Sequence, residues 1–523
     1  MVSAKVNNVY AICAFAAIGG GLFGFDISSM SGVLGTNAYK NYFDNPQDTR
    51  QGGITCAMPA GSLVGALASG FLGDKVGRKW AIQIGGIIWI IGSIIQAASQ
   101  NIGMLVVGRV IAGLCVGITS SLVPVYQAEI APKEIRGRMV SLQQWAITWG
   151  ILIQYFIQYG ASFYGGGPED PHQPSAAFRI PWGIQAIPGA LLVAGLFFFP
   201  ESPRWLADKD RWEDSLRVLA DVHGGGDLNH PKVLAEYQEI EEVIRFEREE
   251  AISSYAELTK PRILKRVVLG MSIQMWSQLC GMNIMMYYIV YVMEGAGIKD
   301  PLLTSSIQYI INVVMTIPAI MWMDRWGRRP TLLLGSFGMM TWLFISGSIQ
   351  GAFGEPENDP SKAVTWKMVD KETQSRAVVA CSYLFVATFA ITWGPVSWTM
   401  PAEIFPNKVR SKAVSLSTAS NWAWNCGLAF AVPPLLRAIN WKMYMIFGAF
   451  NGCALVHMFL TAPETKGKTL EEMDDVFDSG IPVWRQQPTT GSRLDAIQKD
   501  IEQGNLKVNI GHKTEEVKPE KET

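Results

Sequence analysis

Gly73-Asp74-Lys75-Val76-Gly77-Arg78-Lys79 returns 250 residues later as Asp324-Arg325-Trp326-Gly327-Arg328-Arg329-Pro330. Each copy fills a tight gap between two long apolar segments, so each reads as a hydrophilic turn between membrane helices. A second phrase is also written twice. Glu129-Ile130-Ala131-Pro132-Lys133-Glu134-Ile135-Arg136-Gly137-Arg138 recurs as Glu403-Ile404-Phe405-Pro406-Asn407-Lys408-Val409-Arg410-Ser411-Lys412, with its Glu and Arg both displaced by 274. Two like halves of a polytopic membrane protein follow, the plan on which secondary carriers are built.

Composition agrees. The 523 residues are 49% apolar and 17% charged, against roughly 25% charged in a soluble domain. A net charge of −1 gives no argument for a nucleic-acid partner. Cys13, Cys56, Cys115, Cys280, Cys381, Cys426 and Cys453 lie scattered in apolar segments, which reads as packing rather than a disulfide framework or a metal set. The five His form no metal motif. The first apolar run carries Asp26 and has no small-residue cleavage site, so it reads as a retained helix.

Segments of about 20 residues, the length that crosses a bilayer, fall near 9–31, 52–73, 80–98, 103–128, 138–160 and 181–200, then 264–294, 303–323, 330–350, 376–405, 409–436 and 440–461. The expected fold is an all-α membrane protein of twelve transmembrane helices in two six-helix halves. Its units are an N-terminal half (1–201), a linker (202–262), a C-terminal half (263–462) and a tail (463–523) whose mixed-charge end reads as disordered. Within the linker, Leu216, Leu219 and Ala220, then Ile240, Val243 and Ile244, recur at helical spacing and predict short amphipathic helices. Lys and Arg concentrate in alternate loops on the side shared with the linker and both termini, and the positive-inside rule makes that side cytoplasmic.

The repeated Asp-x-x-Gly-Arg loops, together with Pro200-Glu201-Ser202-Pro203-Arg204-Trp205-Leu206 and Pro463-Glu464-Thr465-Lys466-Gly467, resemble the sugar porter family of the major facilitator superfamily over about residues 9–476. Gly24-Phe25-Asp26-Ile27-Ser28-Ser29-Met30-Ser31 and Leu279-Cys280-Gly281-Met282-Asn283 are most similar to fungal high-affinity glucose transporters. The resemblance implies a plasma-membrane carrier, read as monomeric. It would move a monosaccharide by alternating access with no cofactor, a proton gradient serving as co-substrate.

The loop charges pair Arg78, Arg136, Arg328 and Arg410 with the candidate acids Asp74, Glu129, Asp324 and Glu403. If these pairs lie near water, each contributes only about 0–1 kcal/mol, which suits a latch that opens in every cycle. The resemblance gives them the role of a cytoplasmic gate; the plainer reading is topology determination alone.

Sugars need many neutral donors and acceptors, and Gln and Asn supply both on one amide. Gln274 and Gln278 stand four apart on the seventh helix, and Asn421 and Asn425 repeat that spacing on the eleventh. Gln144, Asn283 and Asn312 complete a ring. Singly, each amide reads equally well as interhelical glue. The resemblance places Gln144, Gln278, Asn283, Asn312 and Asn425 at sugar contacts and Trp398 beneath the sugar ring, with Trp422, Asn421 and Gln274 behind them. The chain departs from most relatives at Ser277, where they carry Gln, and at Ala390, where many carry Glu.

Asp26 is an acid inside an apolar helix, and the resemblance assigns Arg109 as its partner. An Asp–Arg contact that forms in one conformation and breaks in the other would couple protonation to transport. The expected function is therefore proton-coupled uptake of glucose, with xylose or another hexose open. A facilitative uniporter and a non-transporting sugar sensor stay as alternatives; the short tail argues against the sensor. No phosphate loop, metal cluster or nucleophile triad marks an enzyme.

Overall fold

A computed structural model describes residues 8–503, apart from 35, 47, 168–169, 171, 250–257, 288–291, 294–295, 297–300, 357–365, 370, 407–408, 469–472, 479–481, 486–497, 500 and 502. The first half comprises α1 (Val9–Val33), α2 (Asp48–Val76), α3 (Arg78–Ala97), α4 (Ile102–Ile130), α5 (Arg136–Ser162) and α6 (Ala176–Phe198). The linker carries α7 (Pro203–Asp208), α8 (Trp212–His223) and α9 (Pro231–Glu249). The second half opens with α10 (Pro261–Leu279) and α11 (Met282–Tyr287), which meet at Gly281 with φ +96°. It continues through α12 (Pro301–Trp326), α13 (Arg328–Phe353), α14 (Glu372–Ile391), α15 (Trp393–Glu403), α16 (Arg410–Ile439) and α17 (Lys442–Thr461). A short α18 (Met473–Asp478) follows. The described strands are one two-residue antiparallel ladder, Glu355–Pro356 with Trp366–Lys367.

Taking α10 with α11 and α14 with α15 as single broken spans gives six spans in each half. Nine of the described helices are long and apolar enough to cross a membrane by length and composition. Three further helices, α5, α10 and α16, fall outside that set and carry buried amides: Gln143, Gln144, Gln154 and Gln158; Gln274 and Gln278; Asn421 and Asn425. Their polarity marks the interior of the bundle.

Local signals explain the helix starts. The Asn8 side chain accepts from the Tyr10 and Ala11 amides at the start of α1, and Asn101 accepts from Met104 at the start of α4. On α3, Ile84, Ile87, Ile91 and Ile94 are exposed at i, i+3, i+7 and i+10, whereas Trp89, Gly92, Ser93 and Gln96 of the opposite face are buried. That exposed stripe is the lipid face. Small residues set the tightest packing: a Cβ at Gly61 or Gly65 of α2 would come within 2.2 Å of the Val110 or Leu114 carbonyl of α4. Gly113 and Gly117 face α2 as closely, so two small-xxx-small stripes interlock.

The halves meet along two seams, α2 against α16 and α5 against α12. On the first, Cys56 and Cys426 are joined in a disulfide with Cα atoms 4.9 Å apart. This corrects the reading of all seven Cys as packing residues, which does describe the buried Cys13, Cys115, Cys280 and Cys381. The two partners are 370 residues apart in the chain, so no spacing signalled them.

The linker helices bury Leu216, Leu219 and Ala220 of α8 against Val233, Tyr237, Ile240 and Ile244 of α9, a small core of their own. Val243, also expected there, lies outside the described side chains. After α17 the chain stays engaged, with Glu464 and Thr465 bonded at the loops of the second half and Phe477 of α18 beneath the Arg266 guanidinium at 4.6 Å.

Candidate functional site

Between the halves lies a small cavity of about 40 Å³. Of the expected residues, Gln144, Ser277, Gln278, Asn283, Asn312 and Trp398 line it. The amides are organised around Gln278. Its Nε2 donates to Asn421 Oδ1 at 2.5 Å, and its Oε1 accepts from Asn425 Nδ2 at 3.2 Å and from Asn283 Nδ2. Across the cavity, Trp398 Nε1 donates to Gln144 Oε1 at 3.2 Å, which joins α15 to α5 and so one half to the other. Asn312 Oδ1, Asn425 Oδ1 and Asn421 Nδ2 are buried and lack hydrogen-bond partners. Buried amide atoms left open cost about 1–3 kcal/mol each, and of these three residues Asn312 lies on the cavity wall, where a polar ligand would satisfy it.

Asn421 and Asn425 stand behind Gln278 rather than on the cavity wall. Gln274 turns aside to donate to the Ser397 carbonyl at 2.8 Å and ties α10 to α15. Trp422 is tied to the first half by a bond to Ser120 Oγ at 3.1 Å and by an edge contact with Phe23 at 4.8 Å. Ala390 is buried beside Phe389, and it is Phe389 that lines the cavity. The sequence reading missed this apolar part of the wall: Phe23, Ile27, Ile147, Ile151, Met282 and Phe389. Nothing separates them in sequence from ordinary membrane-helix residues.

Asp26 and Arg109 form an ion pair at 3.0 Å, both fully buried, and Arg109 Nε also donates to the Ile54 carbonyl of α2 at 3.1 Å. One atom of each, Asp26 Oδ1 and Arg109 Nη1, lacks a hydrogen-bond partner. The pair faces α2 and α4, while Phe23 and Ile27, on either side of Asp26 along α1, face the cavity.

At the end of the bundle shared with the linker, the two halves repeat one hydrogen-bond pattern. Arg78 grips Glu129 through Nε at 3.0 Å and Nη2 at 3.2 Å, and Glu129 accepts from Ser202 Oγ at 2.5 Å. Arg328 grips Glu403 through Nε at 3.1 Å and Nη2 at 2.7 Å, and Glu403 accepts from Thr465 Oγ1 at 2.6 Å. Glu201 caps the Arg78 and Lys79 amides, as Glu464 caps those of Arg328 and Arg329. Asp74 and Asp324 back Arg78 and Arg328 at 3.6 and 3.1 Å.

Three contacts then cross between the halves: Arg410 to Glu129 at 3.8 Å, Lys412 to Asp74 at 3.5 Å, and the Arg138 amide to Asp324 Oδ2 at 3.0 Å. Arg136 donates to the Ala128 and Lys468 carbonyls at 3.1 and 3.5 Å. The expectation of weak pairs near water is corrected here. Arg78, Glu129, Arg328, Glu403 and Arg410 are buried, so each ion relies on its partner to offset desolvation.

The family profile described as "Sugar (and other) transporter" matches residues 12–477. The chain belongs to that family. It is 64% identical to the MFS glucose transporter mfs1 of Aspergillus flavus, over 97% of each chain. It is 45% identical to the high-affinity glucose transporter of Kluyveromyces lactis, over 92% of this chain and 87% of that one. The high glucose sensor RGT2 of Saccharomyces cerevisiae is 33% identical, and this chain spans 61% of its length. Among solved structures, the proton:xylose symporter XylE superposes with a TM-score of 0.77 at 27% identity, over 90% of this chain and 99% of that one. The fold is thus that of the major facilitator superfamily, and the protein is a membrane sugar transporter rather than an enzyme.

Proposed function

We propose that this carrier takes up glucose with a proton across the plasma membrane by alternating access, with its termini in the cytoplasm. The six-helix halves, 1–201 and 263–462, act as the moving bodies, and the linker helices α7–α9 with the described residues after α17, Glu464, Thr465 and Phe477, brace them on the cytoplasmic side. The amides around Gln278, with Gln144, Asn312 and Trp398, hold the sugar. Gln supplies donors and acceptors to its hydroxyls, and the indole receives its C–H face.

The observation that carries proton coupling is the fully buried Asp26–Arg109 pair at 3.0 Å. An ionised Asp26 holds α1 against Arg109 and so against the Ile54 carbonyl of α2. A proton on Asp26 removes that attraction and frees α1, whose Phe23 and Ile27 line the cavity. Sugar occupancy and protonation then act on one helix. The kinship to a proton:xylose symporter supports this reading, and the kinship to glucose transporters supports the choice of sugar.

The experiment is radiolabelled glucose uptake in a transporter-null yeast, with and without a protonophore, beside a recording of external pH. Accumulation that collapses with the protonophore, and sugar-evoked alkalinisation lost in Asp26→Asn, are expected. Uptake that only equilibrates and ignores the protonophore would establish the uniporter. Surface expression without uptake would favour the sensor, a reading kept open by the RGT2 relative.

A further inference from the structure

One helical turn outward from the cavity, three helices place side chains that the sugar site does not use. On α1, Ile27 lines the cavity and Ser31 stands four residues further out; on α5, Ile151 lines it and Tyr155 stands four further out. On α12, which runs in the opposite direction, Asn312 lines the cavity and Tyr309 lies three residues outward. All three outer residues are buried, and they meet. The Tyr309 hydroxyl donates to the Met286 carbonyl of α11 at 3.1 Å and lies 3.4 Å from Ser31 Oγ, whose one proton it shares with the Ser28 carbonyl at 3.1 Å. Its ring sits 4.8 Å, centroid to centroid, from that of Tyr155.

Tyr309 therefore touches α1 and α5 of the first half while anchored to α11 of its own half, directly over the sugar site. We propose that Tyr309 is the roof of the cavity, a positioning residue whose hydroxyl latch to Ser31 must part each time the site opens to the outside. The inference rests on the alternating-access reading.

The two ends of the cavity are closed by unlike chemistry. Below it, buried charges link the halves through Arg410–Glu129, Lys412–Asp74 and Arg138–Asp324. Above it, the described contacts of Tyr309 with the first half are one neutral hydroxyl pair and one ring contact. A neutral hydrogen bond is the weaker tie, so the roof opens more readily than the floor. The unloaded carrier then rests with its site offered to external sugar, and Tyr309 sets how often.

The test places a probe cysteine on the cavity wall, Ile147→Cys, in the full-length chain in yeast plasma membrane. Its labelling by an external membrane-impermeant maleimide is followed by mass spectrometry of the peptide that bears it, so native thiols do not interfere. Tyr309→Phe keeps the ring and removes the hydroxyl; Ser31→Ala removes the other side of the latch. Each is expected to raise the labelling rate about two- to tenfold, the equilibrium weight of one neutral hydrogen bond. The double variant should label no faster than Tyr309→Phe alone, because removing the Tyr309 hydroxyl already breaks the contact that Ser31→Ala breaks, along with the bond to Met286.

A general loosening of the fold would instead raise labelling additively and lower the unfolding temperature in detergent. Unchanged labelling in Tyr309→Phe, or additive effects in the double variant, overturns the roof. If the chain carried no glucose, the unmodified chain would show no uptake while the labelling comparison still reported on Tyr309, so the two failures separate.

Discussion

Arg410 brings its guanidinium 3.8 Å from the carboxylate of Glu129, 281 residues earlier in the chain and in the other half, with both side chains buried. Glu129 thus serves two arginines: Arg78 within its own half, at 3.0 Å, and Arg410 across the seam. One carboxylate both completes its loop and ties the halves together, while its counterpart Glu403 grips Arg328 of its own half.

Glu129→Gln should therefore do two things at once. It leaves Arg78 and Arg410 short of a counter-charge in a buried place, which costs about 3–5 kcal/mol when one partner of such a pair is removed. It also cuts the tie between halves, so the carrier should shift toward the inward-facing state. Thermal unfolding in detergent reads the first effect, and thiol labelling of a cavity cysteine from the cytoplasmic face of inverted vesicles reads the second. Cytoplasmic labelling equal to that of the unmodified chain would remove Glu129 from the gate.

Gln278 stands at the centre of the amide cluster, bonded to Asn283, Asn421 and Asn425. Gln278→Ala should strip several sugar contacts together and weaken glucose affinity by at least about tenfold, since a site built to bond hydroxyls is left with open amides. Ser277→Gln, on the same stretch of wall, should narrow the cavity and change the ratio of glucose to xylose uptake. Competition uptake curves measure both.

Gly77 and Gly327 hold φ of +100° and +88°, and a Cβ there would fall 2.4 Å from a Glu201 oxygen and 2.5 Å from a Glu464 oxygen. Alanine at either site meets both the left-handed backbone penalty, about 1–2 kcal/mol, and a displaced carboxylate. Because that carboxylate caps the next two amides, each single variant should lower the unfolding temperature. The two losses should add, since the sites belong to different halves. A strongly non-additive double variant would mean that the loops act as one body.

His223 closes α8 with two bonds: Nδ1 to Glu236 Oε2 at 2.5 Å on α9, and Nε2 to the Ile130 carbonyl at the end of α4 at 2.8 Å. With the ring charged, both nitrogens donate. Burial opposes the charge, but Glu236 and the Ile130 carbonyl outweigh it and raise the His223 pKa above its ordinary value, with Lys232 pulling the other way. Glu236 is held below the usual carboxylate range: burial pushes it up, and His223 more than reverses that.

A His whose folded pKa is raised stabilises most below its unfolded value and loses that contribution as pH climbs through the folded one. Linker docking should thus weaken as pH rises past the ordinary imidazole range, and His223→Gln should remove that dependence. Hydrogen exchange of α8 across pH, corrected for intrinsic rates, is the measurement; identical profiles for the two chains would discard the idea.

Much of this was legible in the chain. The two charged phrases revealed the duplication, apolar length marked nine of the spans among the described residues, and amides at helical spacing pointed to Gln278 and to Asn425 behind it. Other features were not. The floor pairs were placed near water because loop position alone does not reveal burial. Tyr309 and Phe389 look like any aromatic of a membrane helix. Cys56 and Cys426 offered no spacing to read.

The sequence by itself determined the all-α membrane class, the twofold repeat, the positions of the spans and the identity of the acid in α1, because these rest on local composition and period. Only the tertiary structure decided which amides face the cavity, which charges cross between halves, and what closes the site above. Those depend on the rotation and approach of helices hundreds of residues apart in the chain. There, a side chain's neighbours, not its type, set whether it is glue, gate or ligand.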